Sequence, residues 1–141
     1  MRRIIIFYFN IIFGFIIIAG ILAPVFMKLE MYFPAWVLYS LFSNVCHQDP
    51  RSSFFIYGHK VAYCARCSGV YAGLFLGGIA GSIFKPRRFP VSAFIAMLLP
   101  LAIDRVMIEL GFYNGFRLIK FLSGLLCGMA ISLLVFSRVK P

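Results

Sequence analysis

Four long apolar runs, separated by short polar or basic breaks, organise this chain. The first runs from Ile4 to Met27 without a charged residue. A helix needs about 20 residues to cross the hydrocarbon of a bilayer, so this run spans with some tilt or overhang. Its polar exceptions, Tyr8 and Asn10, lie near the basic start Met1-Arg2-Arg3. A cleaved signal peptide would carry a shorter apolar region, about 7–15 residues, with a small-residue cleavage site. A retained span is therefore the expectation, bent or ended by Pro24. Lys28 to Tyr32 leaves the membrane. The next segment, 33–45, is apolar and aromatic but too short to cross. Tyr32, Trp36 and Tyr39 suit the headgroup level, and Pro34 suits a first helical turn. It reads as an interfacial or re-entrant helix, with a helix buried among the spans as the alternative.

The second span covers about 63–84. Gly69, Gly73, Gly77 and Gly81 recur along it every four residues, which puts small residues on one stripe where another helix can approach closely. A second copy of the chain or another membrane protein is a candidate partner for that face. Lys85-Pro86-Arg87-Arg88 forms a tight basic loop. The third span covers 90–110, with Pro100 as a kink point, and Gly111 to Gly115 is a turn. The fourth covers 117–136 and carries a further small-xxx-small pair, Gly124 and Gly128. Ser137 to Pro141 is a basic tail. The expected fold is all-α. It is a single integral membrane domain over 1–141, with four transmembrane helices and one short interfacial or re-entrant helix.

Composition strengthens this picture. The chain is 62% hydrophobic and 13% charged, against about 25% charged and under 50% apolar in soluble domains. Such an excess needs lipid as its outer solvent. The net charge of +10 raises nucleic acid as a partner. The distribution excludes it, because Lys and Arg sit mainly at the ends of apolar runs and leave no soluble basic face. Read by the positive-inside rule, Arg2, Arg3, Lys85, Arg87, Arg88, Arg138 and Lys140 fall on one side of a four-span chain. Lys28, Arg51 and Lys60 fall on the other, diluted by Glu30 and Asp49. Arg105, Arg117 and Lys120 lie toward that second side and soften the contrast. Both termini are expected to be cytoplasmic, in the cell (plasma) membrane.

Candidate chemistry is confined to 46–71, which holds three of the four cysteines and both histidines. Cys46, His47, His59, Cys64 and Cys67 then face outward, where disulfides can persist. Cys64-Ala65-Arg66-Cys67 is a C-x-x-C at the expected start of a helix. The positive helix end and Arg66 both favour thiolate there, which serves disulfide exchange and soft-metal binding alike. Continued as helix, Cys64, Cys67 and Tyr71 share a face. Cys46, Cys64, Cys67 and one of His47 or His59 make a Cys₃His set, a closed shell suited to structural zinc. Two cysteines with both histidines are equally allowed, and His59 reads equally well as a solvated turn residue. Zn²⁺ is the expected cofactor. The redox alternative has its own resemblance. Small four-span proteins with an outward C-x-x-C are similar to the quinone-linked disulfide-forming and vitamin K epoxide reductase proteins. Those present four working cysteines, whereas Cys127 falls inside the fourth span here and reads as a packing residue. A structural disulfide from Cys46 to Cys64 or Cys67 is a third option.

Asp104 stands in the third span, roughly 20 Å from Pro90 at 1.5 Å rise per residue, in the outer half of the bilayer. An ionisable residue at that depth is expensive unless paired. Arg66 and Arg117 are the candidate partners. Together Arg66, Asp104 and Arg117 form either a polar cavity beneath the cysteines, where Asp104 orients a ligand or moves a proton, or a structural ion pair. Cys64, Cys67, Asp104 and Arg66 are the catalytic candidates if the protein is an enzyme. Glu109 lies near enough to the interface to be solvated.

The motifs also resemble an uncharacterised family of small prokaryotic membrane proteins that carries a domain-of-unknown-function label. The matching residues are Cys46-His47-Gln48, Pro50, Ser53-Phe54-Phe55 and Cys64-Ala65-Arg66-Cys67-Ser68-Gly69-Val70-Tyr71. Leu99-Pro100 with Asp104, and Arg117 with Ser123-Gly124, fit the same pattern. Family members often have Arg directly before the Ser-Phe-Phe, where this chain has Ser52. The resemblance implies a multi-span membrane protein and supplies no activity. Three functions follow from the residues: a membrane protein with an extracytoplasmic zinc-like site above a small polar cavity, a thiol–disulfide oxidoreductase using Cys64 and Cys67, or a non-catalytic assembly or packing subunit.

Overall fold

The structure, a computed structural model, describes residues 2–84, 90–112 and 115–138, with the backbone alone for Arg2, Arg3 and Phe84. The basic loop 85–88 and the end of the basic tail lie outside the described residues. The apolar runs become helices α1 (Arg2–Lys28), α3 (Ala65–Phe84), α4 (Val91–Glu109) and α5 (Arg117–Arg138). The aromatic segment becomes α2, Tyr32–Ser43. Helix α1 does not end at Pro24. It passes through to Lys28, with the Pro24 ring fully buried.

Three of these helices are long and apolar enough to cross a membrane: Ile4–Lys28 within α1, α4 and α5. Helix α3, expected as a fourth span, is not among them. It packs against α1 on one side and α5 on the other, with glycines on the side toward α5 and Leu76, Ile79 and Ile83 exposed.

The all-helical expectation needs one correction. Strands β1 (Ser53–Ile56) and β2 (His59–Cys64) form an antiparallel hairpin. Ile56 pairs with His59, which leaves Tyr57-Gly58 as a two-residue turn. Both turn residues have positive φ, 53° and 81°, as the primed turns of tight hairpins require. The second span therefore does not begin as helix at Tyr63. Strand β2 runs straight into α3.

The glycine stripe meets α5 of the same chain. A methyl added at Gly69 or Gly73 would overlap the Phe121 or Leu125 carbonyl, and one at Gly124 or Gly128 the Arg66 or Val70 carbonyl. Gly77 and Gly81 face Ser132 and Phe136 farther along. Positions rise together on both helices, so α3 and α5 run parallel with backbones in direct contact, the small-xxx-small geometry used reciprocally. Helix α1 runs antiparallel to α3: Asn10 faces Gly78, Gly14 faces Phe75 and Gly20 faces Tyr63. Overpacking costs about 1–3 kcal/mol. Gly128→Ala is accordingly expected to destabilise the protein by about that much, read as a lower thermal-unfolding temperature in detergent. Leu122→Ala, on the exposed side of α5, should leave it nearly unchanged.

At one end of the bundle, α1, α2, β2 and α3 share an aromatic core. The Tyr63 ring fills the space above Gly20 and its hydroxyl donates to the Ile17 carbonyl at 3.1 Å. Phe42 and Tyr71 stand edge-on to it at 5.4 and 5.5 Å. Cys46 belongs to this core, and Cys64 and Cys67 pack against its edge.

Candidate metal centre

Each cysteine is delivered by a different piece of local structure. Cys46 follows α2, whose last turn it closes by donating its N–H to the Phe42 carbonyl at 2.9 Å. The chain then reverses at Gln48, which has φ of 49°. A left-handed glutamine is held there by three contacts. Its side-chain amide donates to the Tyr39 carbonyl at 2.7 Å, its own carbonyl accepts from Lys60 Nζ at 3.2 Å, and its N–H reaches Cys46 Sγ at 3.5 Å. The Tyr39 hydroxyl donates to the Lys60 carbonyl, tying α2 to the hairpin. A 3₁₀ turn, Pro50–Ser52, follows, with Asp49 accepting from the Arg51 N–H and the Ser52 hydroxyl.

The hairpin brings in Cys64, paired with Ser53. The Cys64 N–H donates to Cys46 Sγ at 3.2 Å. Cys67 stands in the first turn of α3. All three Sγ atoms lie within 4.8 Å of one another. Cys64 thus lies on a strand and not on the helix with Cys67. Tyr71 turns into the aromatic core.

The electrostatics favour charge on Cys46. Hydrogen bonds from the Cys64 and Cys67 thiols lower its pKa most, against burial, and the Cys64 and Gln48 N–H groups add to them. The Cys46 thiol is held far below its ordinary value. A sulfur that collects N–H and S–H donors in this way is prepared to carry negative charge.

Three thiolates around one ion at a bond length of about 2.3 Å would stand about 3.8 Å apart in tetrahedral geometry. The observed spread is within about an ångström of that, a gap that small side-chain rotations close. The residues therefore fit a thiolate-bound ion. Neither histidine belongs to the thiol group. His47 is exposed and lines the cavity onto which the three cysteines open. His59 sits in the hairpin opposite Ile56 and does not line that cavity.

The cavity measures about 1170 Å³ and is also lined by Arg51, Arg66, Arg105, Arg117 and Lys120. Arg66 pairs with Asp104 at 2.6 Å, the carboxylate being 2% exposed. Arg117 does not share that carboxylate's bond. Its Nε donates to the Arg51 carbonyl at 3.3 Å and its guanidinium stands over the Phe55 ring. Arg105 pairs with Glu109 on the exposed face of α4.

The family comparison agrees with these elements. Residues 46–134, from the first cysteine of the centre to the far part of α5, match the family described as predicted membrane protein (DUF2085). This chain belongs to that family. It is 32% identical over 136 residues to an uncharacterized protein of Methanocaldococcus jannaschii, covering 89% of this chain and 87% of the relative. It is 27% identical over 95 residues to an uncharacterized protein of Methanothermobacter thermautotrophicus, covering 66% and 86%. No solved structure matches it.

Several residues of the DUF2085 site are not evident from sequence. Gln48 sets the reversal after Cys46, a role that the Cys46-His47-Gln48 match in the sequence does not reveal. Lys120 is 7% exposed and donates to the Ser52 hydroxyl at 2.7 Å. In the sequence it counts only as a charge that blurs the orientation rule. Its signal was available: a lysine three residues after Arg117, inside an apolar run, needs a polar place to go.

Proposed function

We propose that this DUF2085 protein is a multi-pass cell-membrane protein that holds one zinc-like divalent ion on its extracytoplasmic side through Cys46, Cys64 and Cys67. The observation that carries the reading is the meeting of the three sulfurs from a loop, a strand and a helix within 4.8 Å. Cys46 is the sulfur already prepared for charge by its N–H donors, while the neighbouring thiols hold the Cys67 thiol above its ordinary value, so ion binding would displace the remaining protons. Three thiolates and a divalent ion leave one negative charge, which the cationic lining offsets. A fourth ligand would come from the cavity that the three cysteines line, where His47 lies within the same lining. His47 completes a Cys₃His shell if it rotates inward. Otherwise the fourth position takes solvent or a ligand.

Four spans fit this reading. Helix α3 has 20 residues and runs parallel to α5 with their backbones touching, so it shares the depth of a membrane-crossing helix. With four crossings both termini lie on one side. The basic segments at 1–3, 85–88 and 138–140 assign that side to the cytoplasm.

Metal analysis of detergent-purified protein should find about one ion per chain that resists mild chelation. Thiol counting with and without reductant should find Cys64 and Cys67 reduced or metal-protected throughout. Folded, metal-free protein whose Cys64 and Cys67 cycle between thiol and disulfide would replace this assignment with thiol–disulfide exchange.

A further inference from the structure

The cavity beside the thiols is lined by more cations than carboxylates. The chain has four acidic side chains. Asp104 and Glu109 pair with Arg66 and Arg105. Asp49 lines the cavity too, but its carboxylate accepts hydrogen bonds within its own turn, from the Arg51 N–H and the Ser52 hydroxyl, and Glu30 is not part of the lining. Among the described residues, Arg51, Arg117 and Lys120 make no ion pair. Lys120 is over nine-tenths buried, and its ammonium donates to the neutral Ser52 hydroxyl, which in turn donates to Asp49, so no carboxylate bonds the ammonium directly. Burying an ammonium without a counter-charge is costly. The fold nevertheless makes room for it. Gly115 has φ of 71°, and a methyl there would lie 3.0 Å from Lys120 Nζ and 2.5 Å from Cε. Arg66 adds a further donor, since its Nε is buried without an acceptor among the described residues. The start of α5 opens on the same space.

From this we infer that the cavity binds a phosphate group, held by Lys120, Arg117, Arg51 and the Nε edge of Arg66. Cations approach from the turn before β1, from α3 and from α5, a convergence that suits a tetrahedral anion with several oxygens. A volume of about 1170 Å³ exceeds a bare ion and admits a phosphate ester. The lining also includes Val45, Ile108, Phe116 and Leu118, apolar surface for the rest of such an ester. The same phosphate chemistry comes from two sources, an anionic lipid headgroup entering from the bilayer or a free phosphate from the aqueous side. The inference rests on the cationic lining and stands apart from the metal assignment.

Two probes test it on the full chain, each with chelator-treated and metal-loaded protein. Inorganic phosphate is titrated against detergent-purified protein by ³¹P NMR. Phosphatidylglycerol retention is measured against phosphatidylcholine by mass spectrometry of protein released from mixed nanodiscs. Saturable phosphate binding that weakens at least about tenfold in Lys120→Gln supports the site with a free-phosphate source. Selective phosphatidylglycerol retention lost in the same variant supports it with a lipid source. Arg117→Gln, at an exposed position, should show the same direction and keeps the test readable if Lys120→Gln does not fold. Lys28→Gln, whose ammonium sits over Tyr57 away from the cavity, should change neither reading. Binding of neither probe overturns the inference, as does binding that Lys120→Gln and Arg117→Gln leave intact. Ion content is scored separately, so loss of the metal assignment does not count for or against the phosphate.

Discussion

Cys46→Ser is expected to abolish stoichiometric metal retention and to weaken Zn²⁺ binding by more than about 100-fold in a chelator competition. Loss of a partner outside the coordination sphere already costs 10–100-fold, and this change removes a ligand. A serine hydroxyl does not ionise near neutral pH and is a harder donor than a thiolate. The position is also central to the arrangement, since Cys46 Sγ receives the N–H groups of Cys64 and Gln48. Cys64→Ser and Cys67→Ser should lose the ion as well. Cys127→Ser is the control, because that thiol is buried within α5 and is not in the sulfur cluster. Unchanged ion content in Cys46→Ser would mean that the three sulfurs meet for another reason.

The second large effect is expected at the ion pair in the bundle. Asp104→Asn leaves the Arg66 guanidinium beside a neutral amide. Breaking a buried pair from one side costs about 3–5 kcal/mol. Arg66 keeps 23% of its side-chain exposure, so the lower end, about 3 kcal/mol, is the expected loss. It is read as a drop in thermal-unfolding temperature in detergent. Removing both charges, with Arg66→Met and Asp104→Leu together, should recover most of that loss, because a well-packed apolar pair can replace a buried ion pair. A double variant as unstable as Asp104→Asn would show that the charges do more than neutralise one another. Arg66 also lines the cavity, so the double variant should weaken phosphate binding even where stability returns.

Most of the helical plan could be read in the chain because it follows from composition and length. Runs such as Ile4–Met27 admit few structures other than a helix in lipid. The close approach of α3 was legible for a similar reason, since only small residues every four positions let two backbones touch. Its partner was not legible from α3 alone. Gly124 and Gly128 repeat the spacing on α5, but nothing in one helix says which other helix will lie against it. The hairpin was missed because its strands are short and lie between stronger signals. Tyr57-Gly58 marks the turn only when the flanking 53–56 and 59–64 are read as strands. That omission hid how Cys64 reaches Cys46, since the strand pairing, not a helix face, brings the two together. The histidines were the least legible. His47 and His59 are chemically suitable ligands, and only tertiary position separates one at the cavity from one in the hairpin.

The most direct measurement of the central claim is X-ray absorption at the zinc edge on detergent-purified, zinc-loaded protein, together with its cysteine variants. One ion per chain with three sulfur neighbours at about 2.3 Å is the predicted result, falling to two in Cys64→Ser if any ion is retained. An ion surrounded by oxygen and nitrogen alone, or a folded protein that takes up no ion while its thiols stay reduced, would contradict the account.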